Sequence, residues 1–284
     1  MIKEVPFLKL FSMQQVLFSY TKNIQHNCEE ERLYYKKLFA LAKIMEENQV
    51  DTFFQPIMDL QTTETFAFEA LNRPSSTNIF PSADALFEFI GQTNRVFDFE
   101  CFCRNLTLKR FKNRLSNDEN FTLFINIHPS VLLDKKYQSG ETLKLVTSLG
   151  ISPNQIVFEL TERSAVTDFI EFERVLSNYR AQGFRIAIDD VGSGYNSLKT
   201  LVYLKPEFIK VDGSLVRFID RNKEQQQLFN MLMMYVQESN TKIIAEGVER
   251  PEELKFLQEI GVHYAQGYAL GRPNHDILQA KKPM

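Results

Sequence analysis

The sequence predicts an α/β fold closed as a TIM-like (β/α)8 barrel with an N-terminal helical extension, and three observations lead there. Short apolar runs of strand length alternate with stretches of helical length through most of the 284 residues, which is the pattern of a parallel α/β protein. Eight such runs are present, the strand number of a barrel that typically takes ~250 residues. Neither G-x-G-x-x-G after the first run nor G-x-x-x-x-G-K-[ST] occurs, which disfavours the nucleotide-binding open sheets that form the alternative.

Residues 1–31 carry Phe7, Leu10, Phe11, Leu17 and Tyr20 in a loosely helical rhythm and read as a helical extension or linker, leaving 32–284 for the barrel. From Glu29 to Gln49 the rhythm sharpens. Tyr34, Leu38, Leu41 and Met45 recur at intervals of four, three and four, which aligns them as one apolar stripe that must pack on something. It suits a helix covering the barrel, or a connector to a partner or sensor domain. The strand runs then begin at Thr52, Thr65, Phe121, Gln155, Phe184, Glu207, Lys242 and His263. Between them, Phe169–Ala181 and Glu224–Ser239 have helical length, and Pro251-Glu252-Glu253 opens a further helix with proline in its first turn.

Composition removes several functions. The 33 basic and 36 acidic residues leave a formal charge of -3, so no global positive field recruits a DNA or RNA polymer. The longest uninterrupted apolar run, Met231–Val236, is far short of the roughly 20 residues of a membrane-spanning helix. The N-terminus places Lys9 inside its apolar stretch and offers no small-residue cleavage site, so the expected location is the cytoplasm. Cys28, Cys101 and Cys103 form no repeated pair and are expected as reduced structural thiols.

Seven of the eight runs end in one polar side chain: Glu69, Asn126, Glu159, Asp189, Lys210, Glu246 and Gln266. In a barrel these strand ends share one rim, where TIM-barrel active sites are assembled. Carboxylate and carboxamide oxygens are hard donors, so Mg²⁺ or Mn²⁺ is favoured over zinc or copper. The four histidines, His26, His128, His263 and His275, follow no repeated spacing, which counts against a zinc hydrolase. Adjacent Asp189 and Asp190 would normally face opposite sides of a strand. They can share a site if the strand ends there, with Gly192 and Gly194 supplying a flexible turn. Carboxylates that share metals suggest a two-ion phosphoesterase site with a water or hydroxide nucleophile. Lys210, the single cation of the set, has Asp212 two residues on and is suited to hold that water or offset phosphate charge.

These residues resemble the EAL domains, a family of cyclic di-GMP phosphodiesterases. The tripeptide stands as Glu69-Ala70-Leu71, preceded by Phe54-Gln55-Pro56-Ile57 and followed by Arg73. Asn126-Ile127-His128-Pro129, Glu159-Leu160-Thr161-Glu162, the run from Asp189 to Tyr195, Ile209-Lys210-Val211-Asp212, Ala245-Glu246-Gly247-Val248-Glu249 and Gln266-Gly267-Tyr268 follow in family order, over roughly residues 32 to 275. The resemblance implies hydrolysis of cyclic di-GMP to linear pGpG with two divalent cations, Mg²⁺ or Mn²⁺. It implies Glu69, Asn126, Glu159 and Asp189 as ligands of one ion and Asp189, Asp190 and Glu246 as ligands of the second. Lys210 would hold or activate the water, Gln266 would support the site, and Glu162 would hold the loop that starts at Asp190. Gln55, Leu71, Arg73 and Asp212 would contact substrate, and Glu249 would support the surroundings of the second ion. The resemblance is also compatible with a homodimer and with an upstream sensor or partner domain.

Val191, Ser193 and Pro74 depart from the usual family residues, and 91–100 departs more broadly, but every metal-ligand position is filled. A hydrolase is therefore the leading expectation. A non-catalytic cyclic di-GMP sensor is the alternative, and an unrelated metal-dependent barrel enzyme is the third.

Overall fold

The computed structural model describes residues 29–75, 77–93, 95–115, 119–128, 131, 140–161, 169–192 and 197–280. The apolar residues expected to be helical in 1–28, as well as Cys28, His26, Glu162 and Gly194, lie outside them. The described chain divides into two compact units, one formed by residues up to Asp51 together with Asn72–Cys103, the other by Thr52–Leu71 together with the residues from Arg104 onward.

In the first unit, helix α1 (Glu29–Glu46) matches the expected helix and ends three residues earlier. Its stripe is buried at Leu41 and Met45, while Tyr34 is 42% exposed and meets Phe89 edge-on at 5.7 Å. Ser82 caps α2 (Ala83–Gly91) by accepting from Ala85 N at 3.2 Å, which satisfies one of the free N–H groups at the helix start.

The second unit holds the barrel. Its strands are β1 (Val50–Asp59), β2 (Thr65–Pro74), β3 (Thr122–Asn126), β4 (Ile156–Thr161), β5 (Arg185–Val191), β6 (Phe208–Val211), β7 (Lys242–Ala245) and β8 (Tyr264–Ala265). β1 enters this unit at Thr52 and β2 leaves it after Leu71. The helices along the chain are α3 (Val96–Arg114), α4 (Glu141–Ser148), α5 (Phe169–Ala181), α6 (Ser197–Leu204), α7 (Gly213–Val216), α8 (Lys223–Gln237), α9 (Pro251–Glu259) and α10 (Ile277–Ala280). The sheet closes in sequence order from β1 to β8.

The expected all-parallel barrel needs one correction. β2 through β8 pair in parallel, but β1 runs antiparallel to β8, with Met58 opposite Ala265 and Asp59 opposite Tyr264. The cause is the connection from β1 to β2, which spans only 60–64. A parallel pair needs a crossover of about a dozen residues or more, whereas this segment can make only a hairpin. Asp59 builds it, accepting at Oδ1 from Gln61 N (2.8 Å) and Thr62 N (3.0 Å), while Asp59 N donates to Glu64 O at 2.9 Å. Such a side-chain turn is a common use of aspartate.

Alternation along the strands sorts the core into two shells. Leu123, Ile125, Ile156, Phe158, Leu160, Ile186, Ile188, Ile209 and Ile243 belong to the larger apolar cluster, together with helix residues such as Phe172, Tyr179 and Phe229. The residues between them form a separate smaller cluster of Ile57, Ala67, Phe124, Val157, Ala187, Phe208 and Ile244. That cluster is an apolar plug inside the barrel. Two residues farther along the strands, on the same inward side, stand Glu69, Asn126, Glu159, Asp189, Lys210 and Glu246.

Candidate active site

The seven polar residues therefore form a layer stacked on the plug, roughly 6–7 Å above it at ~3.3 Å per residue. Six are not strand-terminal as expected: Glu69, Glu159, Asp189 and Lys210 lie within their strands, and Gln266, like Glu246, follows just after its strand. Only Asn126 closes its strand. Lys210 and Glu159 are each 1% exposed, and Gln266, Glu69 and Asp189 are also buried. Accessibility rises toward Asn126, Asp190 and Glu246.

Lys210 sits at the centre. Its Nζ is 2.8 Å from Glu159 Oε1, 2.8 Å from Glu246 Oε1, 3.3 Å from Asp189 Oδ1 and 3.4 Å from Glu69 Oε2. Glu69 is held from two further sides, because Asn126 Nδ2 donates to its Oε1 at 3.1 Å and Gln266 Nε2 donates to its Oε2 at 2.7 Å. The amide nitrogens are thereby committed, so each carboxamide presents its oxygen as the remaining acceptor. Among the described residues, no hydrogen-bond partner reaches the buried Gln266 Oε1 or Glu159 Oε2.

Four carboxylates around one ammonium leave excess negative charge in a desolvated place. Burial pushes Glu159 well above the ordinary glutamate range, Glu69 and Asp189 push it the same way, and Lys210 opposes them. Glu246 rises to about 8, chiefly through burial and then through Asp189 and Glu69, against the pull of Lys210. Burial alone would lower Lys210, but Glu159, Glu246, Glu69 and Asp189 together raise it well above its ordinary value. Such a set is short of positive charge.

Asp189 and Asp190 do reach one place, and a bulge brings them there; Gly192 follows at a φ of 103°, and Gly194 lies outside the described residues. Pairing with β6 runs from Ile188 opposite Ile209 to Val191 opposite Val211, so β5 carries one extra residue there. This bulge puts Asp190 at a φ of 58°, a left-handed conformation that aspartate tolerates better than most residues. Asp190 N donates to Asp189 Oδ1 at 2.9 Å. Carboxylate oxygens of Asp189, Asp190 and Glu246 all lie within 4.8 Å of one another.

The remaining expected site residues are distributed differently. Gln55 is buried and donates from Nε2 to Gly271 O at 3.3 Å. Leu71 is half-buried on β2. Arg73 is exposed at the end of β2 and belongs to the first unit. Asp212 caps α7, its Oδ1 accepting from Ser214 N at 3.0 Å, so one of its oxygens serves the backbone. Glu249 follows Glu246 on the loop after β7 and is exposed. Gly213 stood outside the expected site and Gly247 carried no role in its motif, yet their backbones meet beside the layer: a Cβ on Gly247 would lie 3.1 Å from Gly213 Cα. The signal was present as a glycine directly after Glu246, where φ is 66°.

With this geometry in place, comparison with known proteins is decisive on family. The EAL domain model matches residues 40–273, most of the chain. The chain belongs to the EAL domain family. Its curated relatives include a probable cyclic di-GMP phosphodiesterase PdeA of Escherichia coli, 29% identical over 190 residues, 67% of this chain and 26% of the relative. Among solved structures, a standalone EAL protein from Vibrio cholerae in its c-di-GMP-bound form is 28% identical with a TM-score of 0.67, covering 79% of this chain and 92% of that one. Klebsiella pneumoniae BlrP1 in a manganese and cyclic di-GMP complex is 27% identical with a TM-score of 0.67, covering 80% of this chain and 56% of that one. This EAL domain chain spans less than half the length of the curated relatives it matches. Among the described residues no helix is long and apolar enough to cross a membrane.

Proposed function

We propose that this EAL domain hydrolyses cyclic di-GMP to linear pGpG, using two divalent cations, Mg²⁺ or Mn²⁺. The observation that carries the reading is the polar layer around Lys210, where four carboxylates share one ammonium. The residues fit cations on two counts. Glu159 Oε2 and Gln266 Oε1 are buried polar atoms without hydrogen-bond partners among the described residues, and the donor set is all oxygen, as Mg²⁺ and Mn²⁺ prefer.

Glu69, Asn126, Glu159 and Asp189 would hold one ion, and Asp189, Asp190 and Glu246 the other. Bound there, the ions would generate a hydroxide-like nucleophile near neutral pH and offset charge on the phosphodiester. Lys210 holds the inner carboxylates together and brings a fixed positive charge to the reacting phosphate. Gln266 and Asn126 fix the rotamer of Glu69. Glu162 as holder of the loop after Asp190, and Gln55, Leu71, Arg73 and Asp212 as substrate contacts, complete the assignment. Arg73 is suited to phosphate by its planar fork of donors.

In this reading residues 32–284 are the phosphodiesterase domain and 1–31 an extension that links it to a partner, a sensor segment or a second copy of the chain. A nucleotide second messenger as substrate goes with a cytoplasmic location. The test is incubation with cyclic di-GMP and Mg²⁺ or Mn²⁺ followed by chromatography. Linear pGpG is the expected product, and binding without product would identify a sensor instead.

A further inference from the structure

Glu253, on α9, is a carboxylate with 1% exposure that stands outside the polar layer. Three backbone N–H groups converge on it. Oε1 accepts from Phe218 N at 2.9 Å, and Oε2 accepts from Glu249 N and Arg250 N, both at 3.1 Å. Phe218 lies just beyond α7, the short helix that follows the Lys210 strand, and takes a φ of 61°. Glu249 and Arg250 end the loop that starts at Glu246. One side chain thus joins the segment after Lys210 to the segment after Glu246.

The same two segments are joined twice more. Arg250 donates to Asp220 at 2.8 and 3.4 Å, and its guanidinium lies 5.2 Å over the Phe218 ring. Gly213 and Gly247 make the backbone contact already described. A carboxylate is the side chain that can accept three N–H bonds at once, and bonds to an ionised acceptor are the stronger kind. A neutral or shorter residue would leave buried N–H groups without acceptors.

We propose that Glu253 is a positioning residue for Glu246: by gathering the N–H groups of Phe218, Glu249 and Arg250 it fixes the spacing of the two segments, and so holds the Glu246 carboxylate on Lys210 and beside the Asp189–Asp190 pair. Its consequence for cation binding rests on the two-cation reading above. Its consequence for the loop does not, because the bonds are made by this chain alone.

The experiment compares the parent chain with Glu253→Ala and Glu253→Gln by Mn²⁺ calorimetry and by amide hydrogen exchange in the cation-free state. Residues that orient metal ligands from outside typically cost about 10–100-fold when lost, so Glu253→Ala should weaken Mn²⁺ binding by about 10-fold or more. Exchange should accelerate at 246–250 and 218–220 and stay unchanged in β3, β4 and β5. Glu253→Gln keeps one acceptor oxygen and should recover most of the affinity and of the protection at 249–250. Glu253→Ala with parental affinity and exchange would overturn the proposal. Faster exchange spread evenly through the barrel strands would also overturn it, reducing Glu253 to general stability. If the alanine variant does not fold, Glu253→Gln decides alone, and unchanged exchange at Phe218, Glu249 and Arg250 would refute the role. A parent chain that binds no Mn²⁺ would sink the two-cation reading, and the exchange comparison would still judge Glu253.

Discussion

Gln266 Nε2 donates to Glu69 Oε2 at 2.7 Å across 197 residues of sequence. With Asn126 on its other oxygen, Glu69 is clamped in one rotamer before any cation arrives. Gln266→Ala should leave the barrel folded and lower both Mn²⁺ affinity and turnover by about 10–100-fold, the usual range for losing a residue that orients a ligand. Calorimetry and product chromatography on the same preparation check this. Parental values in both would remove Gln266 from the site.

Lys210 is the only cation among the described residues that reaches all four inner carboxylates. Lys210→Met keeps the length of the side chain and deletes the charge. Removing one partner of a buried ion pair costs about 3–5 kcal/mol, so the cation-free variant should melt well below the parent near neutral pH. Added Mn²⁺ should restore part of the loss by compensating the same carboxylates. Thermal melts with and without Mn²⁺ test both statements, and equal melting of parent and variant without Mn²⁺ would contradict them.

Glu246 supplies a pH dependence with a definite sign. Its folded value of about 8 lies above the ordinary value of 4.5, so the folded chain binds the proton more tightly than the unfolded one. The stability from this group is full below about 4.5 and is lost as pH rises toward about 8. The cation-free chain should therefore lose melting temperature from pH 5 to 8 relative to Glu246→Gln, and saturating Mn²⁺ should flatten the difference because cations compete with protons for the same oxygens. Parallel profiles for the two proteins would refute the assignment.

Asp189 and Asp190 should separate in a crystallographic experiment. Asp189 touches Lys210 and sits in the inner layer, whereas Asp190 stands in the bulge itself, one residue farther along β5 and in a left-handed conformation. Asparagine keeps the left-handed backbone that position 190 requires. Asp190→Asn should retain one Mn²⁺, and Asp189→Asn should disturb both sites. Anomalous peaks from Mn²⁺-soaked crystals decide; one peak for Asp189→Asn and two for Asp190→Asn would reverse the roles.

Gly247→Ala probes the backbone contact. Its Cβ would stand 3.1 Å from Gly213 Cα at a φ of 66°, and a left-handed non-glycine residue costs roughly 1–2 kcal/mol. Stability should fall by about that amount, and turnover should fall more steeply than stability because Glu246 is the adjacent residue. An unchanged melt in denaturant would show that the two segments part freely.

By itself the sequence determined the barrel, its strand count and the residues of the polar layer, because alternation with period two is a local property. Phe124 and Asn126, or Val157 and Glu159, already declare one face that turns from apolar to polar. The hairpin that reverses β1 was not among the expectations, although the connection that forces it, five residues starting after Asp59, is short in the sequence itself. Only the tertiary structure decided that Lys210 is the hub of four carboxylates and that Gln266 clamps Glu69, since these contacts join residues from strands far apart in sequence. It also decided how Asp189 and Asp190 come together, because a bulge is defined by register against β6 and not by the residues of β5. Glu253 was the least visible of all. At the start of a helix an acidic residue reads as an ordinary first-turn charge, and its burial against the N–H groups of Phe218, Glu249 and Arg250 exists only once two separate loops have folded over it.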